Sequence, residues 1–269
     1  EDRAQIFRHI READPFWVLV SVGIGILSHF SRAIRWNYLL EPLGYKPKLR
    51  NNLMIILMAY FANLGIPRSG EFLRATALAT YEDVPFQKGF GTIVTERVID
   101  VIMLLLIILA ALLSQTAIIA GYLSENGIGL GGTILMALAG VAGLFAMIAR
   151  LRRSSHPMAL KLRGFLNGML EGVLSIFRMR QKWAFLGHTL LIWTCYIGMF
   201  WVIKYTGPET ISLNFGQLLV GFVAGAFAMS TTNGGIGLYP IAVSKSLALF
   251  GISAISGDSF GWIMWIAQT

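Results

Sequence analysis

Residues 53–80 read LMIILMAYFANLGIPRSGEFLRATALAT, and the fold turns on how this stretch meets a membrane. Leu53 to Ile66 is apolar but short, because crossing a hydrocarbon core roughly 30 Å thick takes about 20 helical residues. Gly65-Ile66-Pro67 breaks the run, and Ser69-Gly70-Glu71 opens a second short helix to about Ala79, with polar Arg74 and Thr76. Upstream, residues 15–34 form a full span opened by Pro15 at a first-turn position. That span ends in Arg32 and Arg35-Trp36, which read as the cation-plus-aromatic flank of a membrane interface. Downstream, Gly89 to Leu113 is a long span carrying Glu96, Arg97 and Asp100 in its first half.

The rest of the chain repeats these ingredients. Ile128 to Ala149 and Trp183 to Tyr205 are spans, separated by a basic loop. Phe215 to Ser230 is apolar and is broken at Asn233-Gly234-Gly235-Ile236-Gly237. A short helix over about Tyr239 to Phe250 and a last apolar run follow. Composition agrees: the 269 residues are 55% hydrophobic and 13% charged, where soluble domains carry about 25% charge. The fold class is therefore an all-α integral membrane protein, a polytopic helical bundle forming a single transmembrane domain over residues 1–269.

Charge sets the expected topology. Most of the net charge of +8 falls in residues 150–182, where Arg150, Arg152, Arg153, Lys161, Arg163, Arg178, Arg180 and Lys182 face only Glu171. Such a loop belongs on the cytoplasmic side against anionic head groups, so the basic balance marks topology and not nucleic acid. Leu160 to Phe177 within it is amphipathic and is expected along the membrane surface. With that loop inside, residues 53–80 are expected to dip into the membrane and return on one side and 215–250 to dip from the other, the alternative being that both are ordinary kinked spans. Each half, about 15–113 and 183–269, then reads as span, broken hairpin, span in opposite orientation, with span 128–149 and loop 150–182 between them. That is the pattern of an inverted repeat, whose broken helices form a substrate site near the midplane. Glu1 and the apolar end Trp262 to Ala267 lead us to expect further membrane segments at both termini.

Ionisable groups at membrane depth cost on the order of 3 kcal/mol each and need partners or a cavity. Arg68, Glu71 and Arg74 form one candidate cluster, and Glu96, Arg97 and Asp100 a second. Arg68, Ser69 and Gly70 lie where the broken helix restarts and offers free backbone N–H groups, a combination suited to phosphate. The bland alternative is that the charges lock two helices, Glu71 and Arg74 pairing with Asp100 and Arg97. Asn233, Gly234 and Gly235 would let backbone or ligand approach the second break; they lack a nucleotide fingerprint. His29 and His188 stand alone on apolar spans and read as packed or interfacial residues. No zinc-type spacing, cofactor motif or nucleophile–base set is visible, and one cysteine, Cys195, precludes an internal disulfide. Neither a metal, a cofactor nor enzymatic chemistry is expected.

In order and spacing, Arg35-Trp36-x-x-Leu39-Leu40, Pro67-Arg68-x-Gly70-Glu71-x-x-Arg74, Glu96-Arg97-x-x-Asp100 and Gly234-Gly235-Ile236-Gly237 resemble the lysylphosphatidylglycerol synthase transmembrane (flippase-like) family. The resemblance implies a multi-pass protein of the prokaryotic cytoplasmic membrane that moves lipids between leaflets. Family members are often fused to an aminoacyl-transferase domain; these residues hold none, so the synthase activity is not carried over. The implied partner is a membrane phospholipid or polyprenyl-phosphate lipid. Asn233 and the Tyr239-Pro240 run depart from the family pattern of Pro before, and an acidic residue after, the second glycine motif. Small-solute transport and an accessory role in lipid or glycan synthesis are the competing readings.

Overall fold

A computed structural model describes residues 2–66, 69–116, 121, 150 and 179–269. The expected span 128–149, the surface helix 160–177 and nearly all of the basic loop lie outside the described residues. Nine α-helices are seen among those described: α1 (Asp2–Glu12), α2 (Pro15–Leu40), α3 (Leu49–Gly65), α4 (Ser69–Glu82), α5 (Phe86–Ser114), α6 (Lys182–Ile203), α7 (Phe215–Thr231), α8 (Leu238–Ala248) and α9 (Ala254–Gln268). No strand occurs among the described residues. Pro15–Leu43, Phe86–Ser114 and Lys182–Thr206 are long and apolar enough to cross a membrane.

Local chemistry explains the helix ends. Asp14 Oδ1 accepts the Phe16 N–H at 2.9 Å, and Pro15 in the first turn needs no acceptor. α7 opens with a reciprocal box in which Asn214 Oδ1 accepts the Gln217 N–H and Gln217 Oε1 accepts the Asn214 N–H. α3 stops at Ile66, which is extended (φ −124°, ψ 120°), as expected of a residue before proline. Between α7 and α8, Gly234, Gly235 and Gly237 hold φ values of 59°, 78° and 74°, a conformation that side chains with a Cβ resist.

α2 and α6 lie antiparallel at the centre. Trp17 stacks on Tyr205 at one end (centroids 4.6 Å apart), and Ser31 meets His188 nearer the other. α3 and α4 form an antiparallel pair: Gly70 sits against Ala59, while Glu82 accepts from Asn51 and the Lys48 N–H at the far end. α7 and α8 pair likewise, with Gly225 against Tyr239 and Gly221 against Leu247. Glycines let these arms close, which matters where lipid removes the hydrophobic drive between helices. α4 packs on α5 and α8 on α9, so each half joins long helix, hairpin and closing helix in the same order. The tips of the two hairpins touch: a Cβ on Gly234 would lie 2.8 Å from Leu64 Cδ2.

One expectation is corrected here. α2 does not end near residue 34 but continues to Leu40, and Arg32, Arg35 and Trp36 are buried, not placed at an interface. Helix hydrogen bonding carries the chain past charges that find partners inside the bundle. α1, unforeseen in the sequence, packs against α9. His188 and His29 are packed: His188 Nδ1 lies 2.8 Å from Ser31 Oγ, and the His29 ring rests 4.7 Å from that of Tyr60.

Candidate functional site

A buried ion network fills the space between α2, α4 and α5, with α6 along its side. α2 contributes Arg32 and Arg35, three residues apart on the face that also carries Ser21, Gly25 and Ser28. α5 contributes Glu96 and Asp100, four apart and so one above the other. Glu96 is completely buried; it pairs with Arg32, with Arg35 at 3.1 Å and with Arg74 at 2.9 Å. Asp100 accepts from Arg32 at 3.2 Å and Arg35 at 3.0 Å, with Arg97 3.6 Å away. Two carboxylates thus hold three buried guanidinium groups, as charges taken out of water require.

Neutral groups fix these arginines in place. Arg32 donates to Tyr196 Oη at 2.8 Å, and Arg35 donates to Thr189 Oγ1 at 3.3 Å, which ties the network to α6. The Arg74 guanidinium sits 4.2 Å over the Trp36 ring, whose N–H is donated to Thr92 Oγ1 at 2.9 Å. A second, more open pair joins Arg97 to Glu71 at 3.1 Å. Together these are four arginines (Arg32, Arg35, Arg74, Arg97) against three carboxylates (Glu71, Glu96, Asp100).

The sequence-derived residues separate into three groups. Glu71, Arg74, Glu96, Arg97 and Asp100 come together: Glu71 meets Arg97, as the helix-locking alternative has it, whereas Arg74 meets Glu96 and not Asp100, and Arg97 also lies 3.6 Å from its neighbour Asp100. Ser69 and Gly70 lie beside them, but their polar groups are engaged. Ser69 Oγ donates to Ile66 O at 2.8 Å, the Gly70 N–H is donated to Asn63 Oδ1 at 2.8 Å, and a Cβ on Gly70 would collide with Ala59 O. An anion at this helix start must displace Asn63. Arg68 lies outside the described residues. Asn233, Gly234 and Gly235 form the facing tip, where Trp265 Nε1 donates to Gly234 O at 2.7 Å. No ion pair or side-chain hydrogen bond joins them to the network among the described residues.

Tyr60, Asn63, Gly70, Glu71, Arg74 and Arg97 enclose a small cavity of about 10 Å³, room for roughly one water. Glu71 Oε2 and Arg74 Nε are buried without hydrogen-bond partners. Arg32, Arg35 and Tyr196 were not legible as site residues. The signal that marks the arginines is the α2 stripe itself: Ser21, Gly25, Ser28, Arg32, Arg35 and Leu39 recur at helical spacing. No group of three or more His, Cys, Asp or Glu suited to a metal ion occurs among the described residues.

Comparison with known proteins places the chain. Residues 1–260 match the model for the lysylphosphatidylglycerol synthase TM region, and the chain belongs to that family. Glycosyltransferase AglD of Haloferax volcanii is 25% identical over 92% of this chain and 45% of its own length. A UPF0104 membrane protein of Methanocaldococcus jannaschii is 29% identical over 46% of this chain and 35% of its own. Another, from Methanothermobacter thermautotrophicus, is 28% identical over 41% and 32%. The matches therefore span less than half the length of these relatives. No solved structure matches the chain.

Proposed function

We infer that this multi-pass membrane protein of the lysylphosphatidylglycerol synthase TM-region family moves a phosphate-bearing lipid between the leaflets of the cytoplasmic membrane. The observation that carries the reading is the charge count: four guanidinium groups at membrane depth share three carboxylates. A surplus cation in low dielectric favours an anion, and a guanidinium holds two phosphate oxygens at once. Arg74 and Arg97, with Arg68 six residues before Arg74, are the proposed phosphate contacts. Glu71, Glu96 and Asp100 are the counter-charges that keep the site soluble in the bundle when it is empty. Ser69 and Gly70 would meet the head group after Asn63 swings away, and Asn233, Gly234 and Gly235 would bound it from the facing tip.

Alternating access is supported by the meeting of the two tips. Both ends of the α3–α4 pair lie together, as the Asn51 and Lys48 bonds to Glu82 require. At the other side, Glu209 before α7 accepts the Ser253 N–H after α8. Hairpins entering from opposite sides, related as an inverted repeat, would expose the site to one leaflet and then the other. The likeness to a glycosyltransferase over most of this chain favours a second reading, in which the phosphate lipid carries a sugar and the chain serves glycan synthesis.

Both readings are tested by mass spectrometry of lipids retained through purification, comparing the wild type with Arg68→Ala and Arg97→Ala at equal folded yield. One phosphate-lipid class retained by the wild type and lost in both variants is the expected result. That lipid then enters a leaflet-exchange assay in liposomes, where exchange above protein-free vesicles is expected. Equal bulk lipid in all three proteins would overturn the site.

A further inference from the structure

The α3–α4 pair has a second face. Phe61, Leu64, Ile66, Ser69, Phe72 and Leu73 line an open groove of about 810 Å³ on the side of the helix break away from the ion network. Sites for small molecules occupy roughly 300–1,000 Å³, so the groove is of binding-site size. Its walls are apolar: Phe61, Ile66 and Phe72 are 78%, 67% and 60% exposed.

A helix break in hydrocarbon normally leaves N–H and C=O groups that lipid cannot satisfy. Here the described groups on either side of the break bond to one another. The Ile66 carbonyl accepts from Ser69 Oγ at 2.8 Å and from the Ser69 N–H at 3.2 Å, and the Ala62 carbonyl accepts the Ile66 N–H at 3.1 Å. Ser69, the one polar side chain among those six, is thereby turned to backbone. The described side chains of the groove thus present hydrocarbon to hydrocarbon.

Its position relative to the charged cavity is the second observation. Along α3, Tyr60 and Asn63 face the cavity while Phe61 and Leu64 face the groove. Along α4, Glu71 and Arg74 face the cavity while Phe72 and Leu73 face the groove. Alternate neighbours in sequence serve the two sites, and consecutive Cα atoms are about 3.8 Å apart. Leu64 also receives Gly234, so the groove lies where the two hairpin tips meet. A charged compartment and an apolar one on two faces of a single helix break match the two ends of one amphipathic molecule.

We propose that this groove binds a hydrocarbon chain of the same lipid whose phosphate Arg74 and Arg97 take up once Asn63 swings away and the small cavity beside them opens, so that the α3–α4 pair grips head and chain together. The proposal rests on the head-group reading above. Head and chain then cross the bilayer with the hairpin, and selectivity extends to chain length.

The test uses the full chain in nanodiscs containing phosphatidylglycerol with a diazirine on its acyl chain, with labelled peptides mapped by mass spectrometry. Labelling at Phe61, Ile66 and Phe72 is expected at least about threefold above that at Leu105 and Leu109, which are exposed on α5. Arg74→Gln is expected to remove the excess and leave α5 labelling unchanged. Because Arg74 is buried, a second variant is needed: Phe61→Ser/Phe72→Ser changes exposed positions only. It is expected to weaken retention of long-chain phosphatidylglycerol about tenfold while dihexanoyl phosphatidylglycerol binds as to wild type. Groove labelling equal to α5 labelling overturns the proposal, and lipid retention still decides the head-group reading separately. Groove labelling that persists undiminished in a folded Arg74→Gln protein assigns the groove to bulk lipid and also overturns it. So does equal loss of long- and short-chain lipid in the double variant.

Discussion

The two halves of the molecule are assembled alike and filled differently. In the first, α2, the α3–α4 pair and α5 enclose Arg32, Arg35, Arg74, Glu96 and Asp100. In the second, α6, the α7–α8 pair and α9 enclose Phe200, Tyr239, Val243, Leu247, Phe260 and Met264. The first tip joins α3 to α4 through a proline-containing break, and Asn63 from α3 caps the start of α4. The second is shaped by glycine backbone at positive φ and carries no charged side chain from Thr232 to Gly237. One half therefore holds a buried charge network, and the other a packed apolar core. A buried charge network holds only while every member is paired, whereas an apolar wall tolerates substitution in proportion to the volume removed.

The contrast can be broken first at its centre. Glu96→Ala strips the shared carboxylate from Arg32, Arg35 and Arg74, and removing one partner of a buried pair costs about 3–5 kcal/mol. The expected outcome is a severe loss of folded protein in detergent, read by thermal unfolding. A Glu96→Ala protein as stable as wild type would mean that the network is not what holds α2, α4 and α5 together.

A smaller effect is expected across the interface. Phe260→Ala opens a cavity beside Phe200, whose ring centroid lies 4.9 Å away. In lipid the transfer part of the usual cost falls away, which leaves roughly 2 kcal/mol from lost packing. Stability should drop by that order while retention of the phosphate lipid stays at the wild-type level. Loss of the lipid at unchanged stability would place substrate contacts in the second half and erase the division of labour.

The smallest effect lies outside both halves, in the segment between α6 and α7. The Ser253 N–H and nearby hydroxyls hold the Glu209 carboxyl below the usual glutamate range. A depressed carboxyl contributes stability that is present above its unfolded value and lost as pH falls through the folded one. Glu209 is exposed, so the increment is small. Thermal unfolding followed from pH 7 to about pH 3 should show an acid-dependent loss that is slightly smaller in Glu209→Gln than in wild type. Identical profiles would show that the loop bond contributes nothing measurable.

Much of this organisation was legible beforehand. The spans over residues 15–34, 89–113 and 183–205 lie within α2, α5 and, but for its last two residues, α6, and both breaks fall where glycine and proline interrupt apolar runs. Glu71, Arg74, Glu96, Arg97 and Asp100 could be picked out because each is a charge placed at membrane depth. Arg32 and Arg35 escaped for the converse reason. They follow an apolar run, where hydropathy alone ends the span, and only the stripe of Ser21, Gly25 and Ser28 at helical spacing signals that the buried face runs on into them.

The sequence by itself determined which segments are apolar enough to cross, where they break, and that several ionisable groups must find partners inside. Those follow from transfer and backbone energetics, which depend on composition and order along the chain. Only the tertiary structure decided the pairing. Glu71 and Arg74 are neighbours on one helix face, yet Glu71 takes Arg97 and Arg74 takes Glu96, with Arg32 and Arg35 arriving from α2. Low dielectric demands that every charge be answered, but it is indifferent to which partner answers. Helix packing, set by Gly70 against Ala59, Gly89 against Leu78 and Trp36 beneath Arg74, brings particular guanidinium groups within reach of particular carboxylates.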